Sequence, residues 1–540
     1  MGIPSYFSHI VKNHRAIIKK YNPLKKTIHN LYLDCNSIIY DSMREMKPDN
    51  NINKFEKKLI DNVNAKIVYY IELIKPTNRV LIAFDGVAPV AKLDQQRNRR
   101  YKSWFEKHVC EKLSHEEVNK KNIVWNSVAI TPGTKFMEKL GKGVKLYFNT
   151  KKKNLVSEII VSPSNIAGEG EHKIYEYIRD NIDYHQSTAT AIYGLDADLI
   201  MLTLNHLYIS KSLYLFRETP HFIKSIDKTL DPNTNYLMDI PELADKLVED
   251  FCGGEKKGNN ADNIADNNKK RVIFDYILLC FFLGNDFMPH FPALNIRTDG
   301  IARLMETYKD VMMKNKLFIT DGEKINWKNL RKFVSALSQE EHTYIKIEYK
   351  KRRKQRPRVH NKEDEDYLFQ SLMDVPLKDR SCEEYINPFE RGWRERYYKE
   401  LFGIEIDDQR CKEICKNYLE GLEWTMNYYT TGCKDWRWTY NYDYPPLLVD
   451  LLKYIPYFEV ELLERQEKNP VQDWVQLAYV VPQPYLALLP RNLEKKLLSK
   501  HKEWYETGCH FKWAYCRYFW ESHVMLPHID LPTLEKIEVS

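Results

Sequence analysis

The chain has 540 residues, of which 43% are hydrophobic and 29% charged. That much apolar sequence can bury a sizeable core, which excludes wholesale disorder, and the length suggests about three structural units, or one large unit with an appendage. The 82 basic and 75 acidic residues leave a formal charge of +7, which excludes a histone-like polycation but leaves room for a local basic groove.

The N-terminus, MGIPSYFSHIVKNHR, lacks the apolar region of a secretory signal, and Tyr6 stands where a myristoylation pattern needs Ser or Thr. LYLDCN (31–36), VLIAFDG (80–86), SEIIVSP (157–163) and TAIYGLDADLIML (190–202) read as buried strands. Between them, 53–75 and 92–121 carry charged patterns of helical period. Strands alternating with helices predict an α/β unit over 1–250, with a mostly parallel central sheet and flanking helices. A polar loop is expected over 251–270, including GGEKKGNNADNIADNNKK. VIFDYILLCFFLGNDFMPHFPAL (272–294) predicts an apolar helix ending at Gly284, and a helical continuation spans 271–345.

KRRKQRPR (351–358) puts six basic residues in eight, followed by EDED (363–366), so 346–380 reads as a charged linker. A mainly helical, aromatic-rich second block follows over 381–540, packed on the first unit. It contains an irregular aromatic connection within EWTMNYYTTGCKDWRWTYNYDYPP (423–446). The apolar stretch around Tyr276–Gly284 is too short to span a bilayer. Ten scattered cysteines with no C-x-x-C pair fit a reducing compartment. An intracellular protein without membrane contact is expected.

Three predicted strands end in acids: Asp34 after LYL, Asp85 after IAF, and Asp196 with Asp198 in IYGLDAD. In open parallel sheets, ligands bind beyond the carboxyl ends of strands, so these acids should share one rim. Singly, each could merely cap the next helix. Glu169 and Glu171 in GEGEHK flank a helix start, and Asp286 follows a very apolar helix. Carboxylates crowded this way are tolerable only if protonated or neutralised by cations. Oxygen donors favour Mg²⁺ or Mn²⁺. Two such ions suit phosphodiester hydrolysis, one activating water and the other stabilising the leaving oxygen. After Asp85, Lys92, Gln96, Arg99 and Arg100 recur at helical spacing on one face. Arginine forks on such a face can clasp a phosphate.

With these residues assembled, the chain resembles the XRN family of 5′→3′ exoribonucleases. The resemblance rests on MGIPSYF, LYLDCNSIIY, IAFDGVAPVAKLDQQRNRRY, ITPGTKFM (130–137), GEGEHKIYEYIR (168–179), YGLDADLIMLTL (193–204) and LGNDFMPHFP (283–292). A weaker likeness covers EGLEWTMNYYTTGCKDWRWTYNYDYPP (420–446). It implies a PIN/flap-nuclease-like fold and processive hydrolysis of 5′-monophosphorylated single-stranded RNA to nucleoside 5′-monophosphates, in RNA turnover. It implies that Asp34, Asp85, Glu169, Glu171, Asp196, Asp198 and Asp286 hold two Mg²⁺ or Mn²⁺ ions, and that 271–345 completes the active site. It implies a 5′-phosphate pocket of Lys92, Gln96, Arg99 and Arg100, and bases stacked on Tyr40 and on Trp436 or Trp438.

Several positions depart from the family pattern. Tyr40 stands for a histidine, Ser37 for a glycine and Val90 for a common arginine, and Asp94 sits among the basic residues. The chain also stops soon after the second block, so a catalytic core without appendages is expected. A monomer acting in the cytoplasm beside decapping machinery is expected, with the nucleus as alternative, or a host cytoplasm for a virus-encoded enzyme. KRRKQRPR could also serve as a nuclear-import signal or an extra RNA contact. Other readings are a flap-type DNA 5′ nuclease and a non-catalytic RNA-binding scaffold.

Overall fold

A computed structural model describes residues 3, 5–22, 26–113, 125–151, 156–217, 228–231, 234–251, 266–364, 366–466 and 469–537. Its sheet has seven strands: β1 (Ile18–Lys20), β2 (Asn30–Asp34), β3 (Arg79–Ala83), β4 (Glu158–Ser162), β5 (Thr190–Tyr193), β6 (Leu213–Arg217) and β7 (Tyr236–Asp239). They lie in the order β1-β7-β6-β5-β2-β3-β4. The pairs from β6 through β4 are parallel, and β7 and β1 add antiparallel pairs at one edge. The expected mostly parallel α/β sheet is therefore present. The order reverses at β2, with β3 on one side and β5 on the other. Such a switch point leaves a crevice beyond the strand ends.

Helices cover both faces of the sheet. Ile174, Tyr175, Leu199 and Leu202 lie in one buried cluster, and Leu59, Ile67, Leu140 and Val144 in another. A third cluster joins Val90 and Leu93 to Val475, Leu477, Val480 and Leu493, so the C-terminal helices pack on the start of the Val90–Leu113 helix. The second block is mainly helical, as expected, and residues 431–447 form its irregular aromatic connection. All nine described cysteines are free. No described helix is long and apolar enough to cross a membrane.

Several expected boundaries move. TAIYGLDADLIML is strand only over Thr190–Tyr193, and a helix starts at Asp198. A fully buried apolar run cannot by itself distinguish the two. The Val90–Leu113 helix covers part of 92–121, and 114–124 lie outside the described residues. Most of the expected polar loop also lies outside them, but a helix already runs from Asp266 to Phe281. Lys270 lies over Tyr208, so an aromatic neighbour takes up a polar residue that composition assigns to the loop. The charged linker is helical at both ends: Tyr367–Met373 and Val375–Lys378 form two short helices, and Lys351–Lys354 close the Trp327–Lys354 helix. Arg352 there is buried and paired at 2.6 Å with Glu383, which anchors the last turn.

Candidate active site

Strand register brings the acids to one edge. Asp34 pairs with Ala83, and Leu33 with both Ile82 and Tyr193, so β2, β3 and β5 finish together. Asp34 is the last residue of β2. Asp85 follows β3 after Phe84, and Asp196 and Asp198 follow β5 through a short loop. The Gly170–Asp180 helix adds Glu169 as its N-cap residue and Glu171 in its first turn.

Close backbone packing sets this geometry. The Gly170 amide donates to Asp85 Oδ1 at 2.7 Å. A Cβ at Gly170 would stand 2.5 Å from Asp34 Oδ1, so no larger residue fits without displacing that carboxylate. Asn36 brackets Asp85, donating to its Oδ2 at 2.5 Å and accepting its amide at 3.1 Å. Asp286 is presented by a turn in which Gly284 takes φ +82, a conformation that favours glycine. Asn285 Oδ1 accepts the Phe287 and Met288 amides, both at 2.9 Å.

The acids feel one another. Burial, then Asp85 and Asp196, hold Asp34 well above the usual carboxylate range. Burial and Glu169 do the same to Glu171. Burial and Asp286 push Asp198 up to about 7. Burial would also raise Asp286, but Lys92 pulls it below the ordinary range. Burial opposes charge on Lys92, yet Asp286 and Glu169 outweigh it and hold it above its usual value. Lys92 bonds to Asp286 and lies 3.0 Å from Glu169. One ammonium thus serves several acids.

The donor set fits a hard divalent cation. Asp34 Oδ1 is buried with no hydrogen-bond partner. One donor atom each from Glu169, Glu171 and His172 lies within 4.8 Å of the others. Oxygen-rich donors of this kind suit Mg²⁺ or Mn²⁺.

The basic face divides. Lys92 is buried against the acids, whereas Arg99 is exposed and Arg100 half-buried. Arg100 Nε and Gln96 Oε1 are buried without partners. Burial lowers Arg100 to about 10, and the neighbouring Tyr40 and Asp85 oppose that shift. Tyr40 is itself half-buried. Asp94 turns away from the basic face, accepting from Tyr479 at 2.6 Å and Thr439 at 3.4 Å. A groove of about 1320 Å³ runs from Asp286 and Arg99 past Tyr440 and Tyr442 to Trp520.

The two tryptophans differ. Trp438 is buried and stacked on Trp424 with ring centroids 5.2 Å apart. Trp436 is half-buried, and its carbonyl accepts the Val90 amide at 2.9 Å, which ties it to the start of the basic helix.

Sequence reasoning missed four contributors. Gln95 donates to Asp286 Oδ1 at 2.7 Å. Lys173 bridges the Phe84 and Pro163 carbonyls at 2.8 and 3.0 Å, pinning the ends of β3 and β4. His172 stacks on Tyr428 at 3.7 Å, and the Tyr428 hydroxyl donates to Glu169 Oε2 at 3.2 Å. Gln95, His172 and Lys173 adjoin recognised motif residues, which is a usable signal. Tyr428 comes from the distant Asp408–Thr430 helix, and only folding brings it here.

A family model described as XRN 5'-3' exonuclease N-terminus matches residues 1–219. Another, described as Xrn1 helical domain, matches 266–376 and 370–538. The chain is 26% identical to 5'-3' exoribonuclease 2 of Arabidopsis thaliana, over 98% of this chain and 66% of that protein. It is 26% identical to 5'-3' exoribonuclease 1 of Saccharomyces cerevisiae, over 91% of this chain and 40% of that protein. Against 5'-3' exoribonuclease 1 of Homo sapiens the identity is 27%, over 98% and 33%. The chain thus spans between a third and two thirds of these relatives. With both models matched and all seven acids gathered at the sheet edge, the chain belongs to the XRN 5'-3' exonuclease family.

Proposed function

We propose that the protein is a 5′→3′ exoribonuclease that degrades 5′-monophosphorylated single-stranded RNA to nucleoside 5′-monophosphates, in cytoplasmic RNA turnover. The observation that carries this reading is the meeting of seven acids with Lys92, Arg99 and Arg100 of the basic helix at one switch-point crevice. Relatives named 5'-3' exoribonuclease support the choice of RNA and of polarity.

Asp34, Asp85, Glu169, Glu171, Asp196, Asp198 and Asp286 would hold two divalent cations. When bound, these supply an activated water and neutralise charge on the leaving oxygen. Lys92 holds Asp286 and Glu169 in place and adds positive charge beside the scissile phosphate. Arg99, Arg100 and Gln96 take the terminal 5′-phosphate through forked donors. Tyr40, beside Arg100, and the half-buried Trp436 offer rings for the first bases; each stack is worth about 1–3 kcal/mol.

Water oxygen bonds to the first internucleotide phosphorus as the P–O3′ bond breaks. The next nucleotide then carries a fresh 5′-phosphate for the same pocket. That regeneration of the recognised end supports processivity. A pocket built for a bare phosphate also calls for ends exposed by decapping.

The test is hydrolysis with Mn²⁺ of matched RNA and DNA oligonucleotides bearing 5′-phosphate, 5′-hydroxyl or 5′-triphosphate. Rapid loss of 5′-phosphorylated RNA with release of mononucleotides is expected. Equal rates on 5′-phosphate and 5′-hydroxyl RNA would overturn the pocket. Preference for DNA would favour a flap-type nuclease.

A further inference from the structure

The exposed end of the Trp327–Lys354 helix carries a second concentration of cations, away from the acids. Lys351 pairs with Asp299 at 2.5 Å and Arg352 with Glu383 at 2.6 Å. Lys346, Lys350, Arg353, Lys354, Arg356 and Arg358 make no ion pair among the described residues, and all but Lys346 are exposed. Glu363, Asp364 and Asp366 follow closely but form no ion pair with them among the described residues. Arg380 lies beside them, half-buried, with Nη1 and Nη2 enclosed and without a hydrogen-bond partner. Burial lowers its affinity for a proton; Glu383 opposes that shift, and Arg352 and Arg356 add to it as like charges.

This face is held in shape. The Arg358 amide donates to Asp374 Oδ2 at 3.1 Å, and His360 Nε2 lies 2.8 Å from the same oxygen. Arg356 Nη1 donates to the Arg353 carbonyl at 2.8 Å. An aromatic ring sits among the cations: Phe389 is 48% exposed, with Lys346 and Lys350 ammoniums 5.5 and 5.2 Å from its centroid. Cations at a helix C-terminus also answer the macrodipole, but that effect is confined to the last turn. Lys346, Lys350, Arg356 and Arg358 lie outside it.

The face also backs onto the groove of the active site. Arg352 turns inward and donates to the Cys516 carbonyl at 2.9 Å, and Cys516 and Tyr515 line that groove. A row of exposed cations outside any described ion pair, with an exposed ring, matches the pattern that tracks single-stranded nucleic acid: charge for the backbone and a π-face for a base.

We propose that this face is a second RNA-contact surface, which takes the sugar-phosphate backbone of single-stranded RNA lying 3′ of the nucleotides in the active site. The choice of RNA rests on the exoribonuclease reading. The surface would raise affinity for long substrates and leave short ones unaffected.

The experiment measures fluorescence anisotropy in EDTA, so that binding is read without hydrolysis and failure of the exonuclease reading remains separate. The probes are 5′-phosphorylated oligouridylates of about 6 and about 30 nucleotides, titrated from about 50 to 300 mM KCl. The variant is Lys350→Ala/Arg353→Ala/Arg356→Ala/Arg358→Ala. With four phosphate contacts removed, the log–log salt slope for the long RNA should shrink by about 3, with affinity at low salt about tenfold weaker or more. Binding of the short RNA and the melting temperature should not change. Phe389→Ala, which keeps every cation, should weaken the long RNA about fivefold with little change of slope. An unchanged slope in the quadruple variant overturns the proposal, as does equal loss on long and short RNA. Unchanged RNA binding with lost nuclear accumulation in cells also overturns it, reassigning the run to an import receptor.

Discussion

Two tryptophans lie two positions apart, and substituting each by alanine should give opposite phenotypes. Trp438 is 7% exposed and stacks on Trp424 at an interplanar angle of 24°. A Cβ on Gly421 would stand 2.9 Å from its Cη2, so the ring fills its site closely. Truncating a buried tryptophan costs about 3–5 kcal/mol. Its Nε1 is buried without a partner, and relieving that unpaired donor returns about 1–3 kcal/mol. A net loss of about 2 kcal/mol is therefore expected for Trp438→Ala. Trp436 is half-buried and contributes its backbone carbonyl to Val90, a bond that alanine keeps. Trp436→Ala should melt close to the parent, yet lose one base stack of about 1–3 kcal/mol. That is about a 5- to 150-fold weaker Kd for a short 5′-phosphorylated RNA. Urea unfolding followed by tryptophan fluorescence, beside anisotropy in EDTA, reads both quantities. If Trp438→Ala bound RNA weakly with an unchanged midpoint, while Trp436→Ala unfolded early, the assignment of the two rings would be wrong.

Tyr428→Phe removes the hydroxyl that orients Glu169 at 3.2 Å but keeps the stack on His172. A tenfold or greater loss of Mn²⁺ affinity is expected by calorimetry, about what loss of an outer-sphere partner costs, with unfolding little changed. Gly170→Ala drives a methyl against Asp34 Oδ1, 2.5 Å away. A displacement of about 1 Å there should lower the hydrolysis rate about 100-fold, measured on 5′-phosphorylated RNA. The metal-free protein should also lose stability as pH rises. Burial and Asp286 raise Asp198 to about 7 from an ordinary 3.8, so the folded state binds the extra proton between those values. Stability from that proton is complete below the unfolded value and is lost as pH climbs through 7. Asp198 alone accounts for up to about 4 kcal/mol, from about three pKa units at 1.36 kcal/mol each. Urea midpoints between pH 5 and 8 in EDTA should fall, and Mn²⁺ at pH 8 should restore them. A flat profile in EDTA would refute the crowding of protonated acids.

The sheet edge was legible because strand ends carry their chemistry in sequence. Asp34 and Asp85 follow buried runs directly, and parallel register alone brings them together. Position along a helix is less informative. Lys92 and Arg99 share a helical face, yet one is buried against Glu169 and Asp286 while the other is exposed. Spacing fixes the angle around an axis but not how far along it a neighbour reaches. The KRRKQRPR run shows the same limit of composition. Its cations read as linker, but the charge of Arg352 is balanced by Glu383 from beyond the run. Contacts made across long separations, such as Tyr428 on Glu169, leave no local pattern at all. Those contacts are also how the second block acts on the chemistry. The helix bearing Tyr428 brings a hydroxyl to Glu169 that the 1–250 unit does not supply, and the loop bearing Trp436 is tied through its backbone to Val90. The 1–250 unit expressed alone should therefore keep six of the seven acids, lacking Asp286, and lose the partner that orients Glu169.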